Sequence, residues 1–213
     1  MQPYAIKRSE TITFPPFSGV RCLMMPYVQG DPSSVPDVYA AYRPILASLV
    51  LKAGDVGFLT IDESIATAGT PHRGARARFG RALHTEVGRD PARRYYCWGG
   101  REGGGWGRVH RVTLDGDVRI LLANNLGETC AVWNSEHPET SLDGDIGDVA
   151  ASYPYDAAAF LGAGEVYEIG ILTPHESLPV SETVDRQFLR IVSSGVHGRE
   201  PYFTENPLME RAL

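Results

Sequence analysis

The 213-residue chain predicts a mainly β fold, a sandwich or barrel behind a short helical pack. Two observations carry this. Short β-prone runs punctuated by Gly, Pro and Asp succeed one another from residue 56 to residue 194, and helical periodicity is confined to residues 32–53. No internal repeat, heptad array or low-complexity linker divides the chain, so residues 1–213 are expected to form a single domain. Its parts would be a helical pack (32–53), a β core (56–194) and a C-terminal tail (195–213).

In chain order, the helical pack lies in GDPSSVPDVYAAYRPILASLVLKAGD. Ser33 or Ser34 can cap, Pro36 suits the first turn and Asp37 favours the positive end of the dipole. Val38, Tyr42, Ile45, Leu46 and Leu49 recur at helical spacing; Pro44 should kink or split the helix, and Gly54 should end it. VGFLTID (56–62) is apolar and β-rich, with Asp62-Glu63-Ser64 at its end either capping the next turn or meeting a cationic substrate group. RALHTEVG (81–88) reads as one strand after the PHRGAR loop. RRYYCWG (93–99) leads into a cluster in which five of the seven residues 99–105 are glycine. RVHRVTL and DVRILLAN flank Asp115-Gly116-Asp117, which reads as a hairpin turn. TCAVWN, GEVYEIGILT and RQFLRIVSS close the series. The segment 135–162 reads as a long loop with a short helix near Tyr155–Leu161, of a length that often covers a site.

Composition excludes several function classes. A net charge of −6 argues against general nucleic-acid binding. No apolar run reaches the roughly 18–20 residues needed to cross a bilayer, and MQPYAIKRSE lacks the apolar core of a signal peptide, so a cytoplasmic location is expected. Cys22, Cys97 and Cys130 are odd in number and widely spaced, which indicates neither a disulfide framework nor a zinc cluster. From His72 to Arg111, ten arginines face only Glu86, Asp90 and Glu102. They either balance acidic residues elsewhere in the fold or line a pocket for an anionic small molecule. No GxSxG elbow supports a serine hydrolase, and GGREGGGWG lacks the GK[ST] ending of a phosphate-cradling loop. Oligomeric state is not legible.

The chemistry concentrates in ALHTEVG. On a strand, His84 and Glu86 share one face. If that face is buried, an imidazole and a carboxylate together call for a partner, and a divalent metal satisfies both. A second histidine, His175, lies in LTPHESLP. Arg186 follows eleven residues later and Arg190 four beyond that, on one face of an extended strand.

An HxE pair on a strand, a distal histidine and a trailing arginine resemble the motif of the double-stranded β-helix oxygenases, the cupin-like iron(II)/2-oxoglutarate enzymes. The resemblance implies a jelly-roll barrel with His84, Glu86 and His175 as the facial triad on Fe(II). It further implies Arg186 or Arg190 as the anchor of the cosubstrate's far carboxylate. The carboxylate here is glutamate, where the family more often has aspartate. On this reading the protein is a non-haem iron dioxygenase acting on a small organic molecule. His72 in PHRGAR could replace a ligand, act as an acid/base group or contact substrate, with Arg73 beside it. Trp106, after the glycines, could close over substrate or simply end a hairpin loop. His137 is an alternative ligand, while His110 and His197 read as structural. Two other classes stay open: a cupin-like metal-dependent isomerase, epimerase or lyase, and a non-catalytic β-sandwich binding or structural protein.

Overall fold

A computed structural model describes residues 4–71, 81–90, 95–98, 110–114, 116–137, 144–197 and 203–209, and within these no side chain of residues 88–90, 95–98, 110–114 or 197 is described. The strands are β1 (Ala5–Thr11), β2 (Arg21–Val28), β3 (Val56–Ala66), β4 (Leu83–His84), β5 (Val87–Asp90), β6 (Tyr95–Trp98) and β7 (His110–Leu114). There follow β8 (Arg119–Asn124), β9 (Cys130–Val132), β10 (Ala159–Phe160), β11 (Glu165–Gly170), β12 (His175–Ser177), β13 (Val184–Val192) and β14 (Val196–His197). They make a six-stranded sheet in the order β1-β11-β8-β13-β3-β2 and two four-stranded sheets, β10-β9-β12-β4 and β14-β7-β6-β5. All pairings are antiparallel.

Strand alternation sorts the apolar residues into layers. On one face of the large sheet, Ile120, Leu122, Tyr167, Ile169, Phe188 and Val192 pack with Cys130 and Val132 of β9. On its other face, Leu59, Ile61, Leu121, Ala123, Leu189 and Ile191 pack against Tyr39, Tyr42, Ile45, Leu46 and Leu49 of the helical segment. The far side of the β10-β9-β12-β4 sheet (the small sheet; Leu83, Ala131, Trp133) is covered by Ile146 and Tyr153. β8, most of β13 and the middle of β3 are therefore buried on both faces, and their polar residues that face the inter-sheet space need internal partners.

Several expectations change here. The mainly β reading holds, but the described strands form open sheets, not a closed barrel: β1 and β2 are left as edges of the large sheet. Half-exposed Lys7, Arg8 and Glu10 on β1 give that edge the charges that discourage further pairing. The single helix over 32–53 is instead two 3-10 turns, Pro32–Ser34 and Asp37–Tyr42, followed by a six-residue α-helix α1 (Arg43–Ser48). Pro44 does divide the segment, sitting in the first turn of α1 where its missing N–H costs nothing. The cap is Asp31, whose side chain accepts from the Ser33 amide, rather than Ser33 or Ser34. Leu49 is already extended, so Gly54 (φ +82°) serves the following turn instead of ending the helix.

The strands on either side of the expected Asp115-Gly116-Asp117 turn are not paired with each other, since β7 pairs with β6 and β14 while β8 pairs with β11 and β13; Asp115 itself lies outside the described residues. RALHTEVG is two strands in two sheets, broken at Thr85–Glu86. Asp62, Glu63 and Ser64 lie inside β3 and cap nothing. The short helix expected near 155–161 is a 3-10 turn, Tyr155–Ala157, followed by β10. The tail docks on the body through Asn206, which donates to the carbonyls of Pro26 (2.7 Å) and Ser34 (2.8 Å). No helix among the described residues is long and apolar enough to cross a membrane.

Candidate metal centre

β4 and β12 pair so that His84 stands directly opposite His175. Opposed residues on adjacent strands present their side chains side by side, and the two imidazole rings meet edge to face with centroids 4.1 Å apart. Glu86 joins them because the strand breaks beside it. The Thr85 amide donates to the Gly144 carbonyl (2.9 Å), and the Glu86 amide donates to the Ile171 carbonyl (3.1 Å). Gly144 has φ +73°, and a Cβ there would lie 2.5 Å from the Thr85 carbonyl oxygen, so this close crossing needs glycine.

The result is a buried group of three ligand atoms, from His84, Glu86 and His175, all within 4.8 Å of one another. His175 Nε2 lies 3.2 Å from Glu86 Oε1. Donors bound at about 2.0–2.2 Å to one ion and roughly at right angles are separated by about 3 Å. The Nδ1 atoms face backbone carbonyls two residues back: His84 to Ala82 (2.6 Å) and His175 to Thr173 (2.9 Å). An imidazole that donates from Nδ1 carries its lone pair on Nε2, the arrangement that orients a histidine toward a metal. Two such imidazoles and one carboxylate are the donor set that suits a first-row divalent ion with open positions. The residues present therefore fit such an ion.

Arg190 and Arg186 both point inward from β13. Arg190 is 1% exposed and donates from Nη1 to Glu86 Oε2 (2.5 Å) and from Nη2 to Thr60 Oγ1 (3.3 Å). One carboxylate oxygen of Glu86 thus meets the guanidinium and the other meets His175. Arg186 donates from Nη2 to Asn124 Oδ1 (2.7 Å) and stacks near the Phe188 ring. Its Nε and the Nδ2 of Asn124 are buried without hydrogen-bond partners among the described residues. Burial pulls the Arg186 guanidinium down to about 10. Two donors on neighbouring side chains thus remain available in a desolvated place.

His72, Arg73 and Trp106 lie outside the described residues, and the side chains of His110 and His197 are likewise not described. His137 is not among the three ligand residues: its Nδ1 is 2.7 Å from the Tyr153 hydroxyl. Sequence reasoning passed over Asn124 and Thr60, and also Arg81 and Glu176. For Asn124 the signal was an amide ending the apolar run ILLAN; for the others nothing short of the strand register would have singled them out.

No family model matches the chain, and no curated protein matches it. Among solved structures, the crystal structure of AviO1 from Streptomyces viridochromogenes Tue57 aligns at 14% identity and a TM-score of 0.39. The alignment covers 92% of this chain and 78% of that one. A likeness of that size is loose, and the functional reading rests on the site itself.

Proposed function

We propose that the protein is a metal-dependent enzyme of the iron(II)/2-oxoglutarate oxygenase type, with a double-stranded β-helix core, that oxidises a small organic substrate. One observation carries the reading: residues 84, 86 and 175 place two imidazole nitrogens and a carboxylate oxygen in one buried cluster, with each Nδ1 close to a backbone carbonyl. His84, Glu86 and His175 would hold the ion. Bound there, iron(II) would supply the redox and oxygen chemistry that these side chains lack.

The chain's own residues do the rest. Arg186 and Asn124 offer Nε and Nδ2 to the far carboxylate of the cosubstrate, a planar acceptor that suits a guanidinium. Arg190, whose other Nη donates to Thr60, holds the Glu86 carboxylate in place. His72, Arg73 and Trp106 are the proposed acid/base and substrate contacts. In overall balance, substrate, oxygen and 2-oxoglutarate yield the oxygenated product, succinate and carbon dioxide.

The test is elemental analysis of the purified protein beside His84→Ala and His175→Ala, followed by an assay for oxygen-dependent succinate formation from 2-oxoglutarate. Stoichiometric transition metal in the parent, lost in both variants, with succinate formed, is the expected result. Metal without succinate in the presence of candidate substrates would replace the oxygenase with a metal-dependent isomerase, epimerase or lyase. A parent protein that takes up no metal would leave a β-sheet binding module.

A further inference from the structure

Outside the site, on the opposite face of the small sheet, a second polar cluster is built around Glu176. This residue follows His175 on β12, so the two side chains point to opposite faces. Glu176 is 3% exposed. Its Oε2 accepts from Arg81 Nε (3.0 Å), Arg81 Nη2 (2.6 Å) and the Tyr155 hydroxyl (3.1 Å). Its Oε1 accepts from the Ala82 amide (3.1 Å). Arg81 Nη1 donates in turn to the carbonyls of Ala150 (3.0 Å) and Tyr153 (2.9 Å), and the guanidinium lies over the rings of Tyr155 (4.3 Å) and Trp133 (5.3 Å).

Residue Ala82 links this cluster to the candidate metal ligands. Its amide binds Glu176, and its carbonyl is the acceptor of His84 Nδ1. We propose that Glu176, clamped by Arg81, is a positioning residue for His84: by holding the amide of Ala82 it fixes that residue, whose carbonyl, in the next peptide group, sets the orientation of the imidazole. The proposal rests on the metal-site reading. The dipeptide His175-Glu176 then does two things at once, presenting one ligand on the inner face and aligning the neighbouring strand's ligand from the outer face. Charge-assisted bonds to a buried carboxylate are the stronger kind, and outer partners of ligating histidines commonly govern metal affinity by 10- to 100-fold.

The experiment titrates metal-free protein with Co(II), read by calorimetry and by the visible spectrum, well below the unfolding midpoint of every variant. Glu176→Ala should weaken Co(II) binding by roughly 10- to 100-fold. Glu176→Gln, whose oxygen can accept from Ala82 only by turning its NH2 toward the Arg81 fork, should fall between the parent and Glu176→Ala. Tyr42→Phe, on the far side of the large sheet, should lower the unfolding midpoint and leave Co(II) affinity unchanged. If Glu176→Ala does not fold, Arg81→Lys carries the same test, since a lysine cannot reproduce the forked contacts. Parent-like affinity in Glu176→Ala, or in Arg81→Lys when that variant stands in, overturns the proposal; so does equal weakening by Tyr42→Phe, which would mark a general loss of stability. If the parent binds Co(II) no better than His84→Ala, the metal reading itself falls and takes this proposal with it.

Discussion

Replacing Glu63 by glutamine probes a buried carboxylate that accepts six hydrogen bonds. Glu63 Oε2 accepts from the amides of Ser18 (2.7 Å), Gly19 (2.6 Å) and Val20 (3.2 Å) and from the Ser18 hydroxyl (3.1 Å). Oε1 accepts from the Tyr42 hydroxyl (2.6 Å) and Gln187 Nε2 (2.9 Å). Burial alone would raise its pKa, but the donors outweigh it, Tyr42 and the Ser18 amide foremost, and hold it at about 2 against an ordinary 4.5. A difference of that size corresponds to about 3 kcal/mol at roughly 1.4 kcal/mol per pH unit. Because the folded value is the lower one, this stability is present above the unfolded pKa and is lost as pH falls from about 4.5 toward about 2. A glutamine must turn its NH2 toward donors on one side or the other. Urea titrations at pH 7 should therefore show Glu63→Gln less stable by about 3 kcal/mol, a midpoint shift of roughly 1.5 M at a slope near 2 kcal/mol/M. From pH 5 to pH 3 the parent should lose stability faster than the variant, so the two curves converge. Glu10 and Asp31, also held low by their neighbours, titrate in both proteins and cancel in the difference. A loss below about 1 kcal/mol at pH 7, or parallel curves in acid, would refute the reasoning.

Gly164→Ala should destabilise by about 1–3 kcal/mol. Gly164 has φ +72°, and a Cβ there would stand 2.3 Å from the Ile12 carbonyl oxygen; chemical denaturation measures the loss. Cys22 should resist alkylation in the native protein at pH 8, because burial pushes its thiol up to about 12; mass mapping after a labelling pulse would show it modified only once denaturant is added.

What was legible in the sequence follows from which interactions are local. His84 and Glu86 could be placed on one face because strand alternation is a property of adjacent residues, and Arg186 and Arg190 could be paired for the same reason. That His175 stands opposite His84 is a matter of register between strands 91 residues apart, so only the motif resemblance pointed to it. The break at Thr85–Glu86 depends on the Gly144 and Ile171 carbonyls, supplied by distant loops, and period alone extended the strand straight through it. Glu63 looked like a cap because acidic residues commonly end strands, yet its partners come from residues 18–20, 42 and 187. In the helical segment the apolar spacing is borne out by the burial of Tyr42, Ile45, Leu46 and Leu49 but not at Val38, which is 64% exposed on the 3-10 turn Asp37–Tyr42. The segment has three prolines (Pro32, Pro36, Pro44) and only six α-helical residues, so packing against the sheet, rather than helix propensity, holds it.

Arg186 and Arg190, four residues apart on one strand face, should respond unequally to the same substitution. Arg190→Met leaves Glu86 buried beside an apolar side chain, and breaking a buried ion pair from one side costs about 3–5 kcal/mol. Arg186→Met removes a buried guanidinium whose described polar partner is the neutral oxygen of Asn124, with no carboxylate at ion-pair distance among the described residues. Burial already works against that charge, which is why its pKa falls. Its loss should therefore cost less than half of what Arg190→Met costs, because only a neutral acceptor is orphaned. The ligand response should separate the two further. A carboxylate that binds the folded state at a hundred times its dissociation constant stabilises by about 2.7 kcal/mol. On the proposed reading, 2-oxoglutarate with Co(II) raises the unfolding midpoint of the parent but not of Arg186→Met. Thermal unfolding of both variants with and without the keto acid decides the matter. Equal destabilisation, or an undiminished ligand shift in Arg186→Met, would mean that the guanidinium is satisfied by residues of the chain itself, and the carboxylate subsite would have to be sought elsewhere.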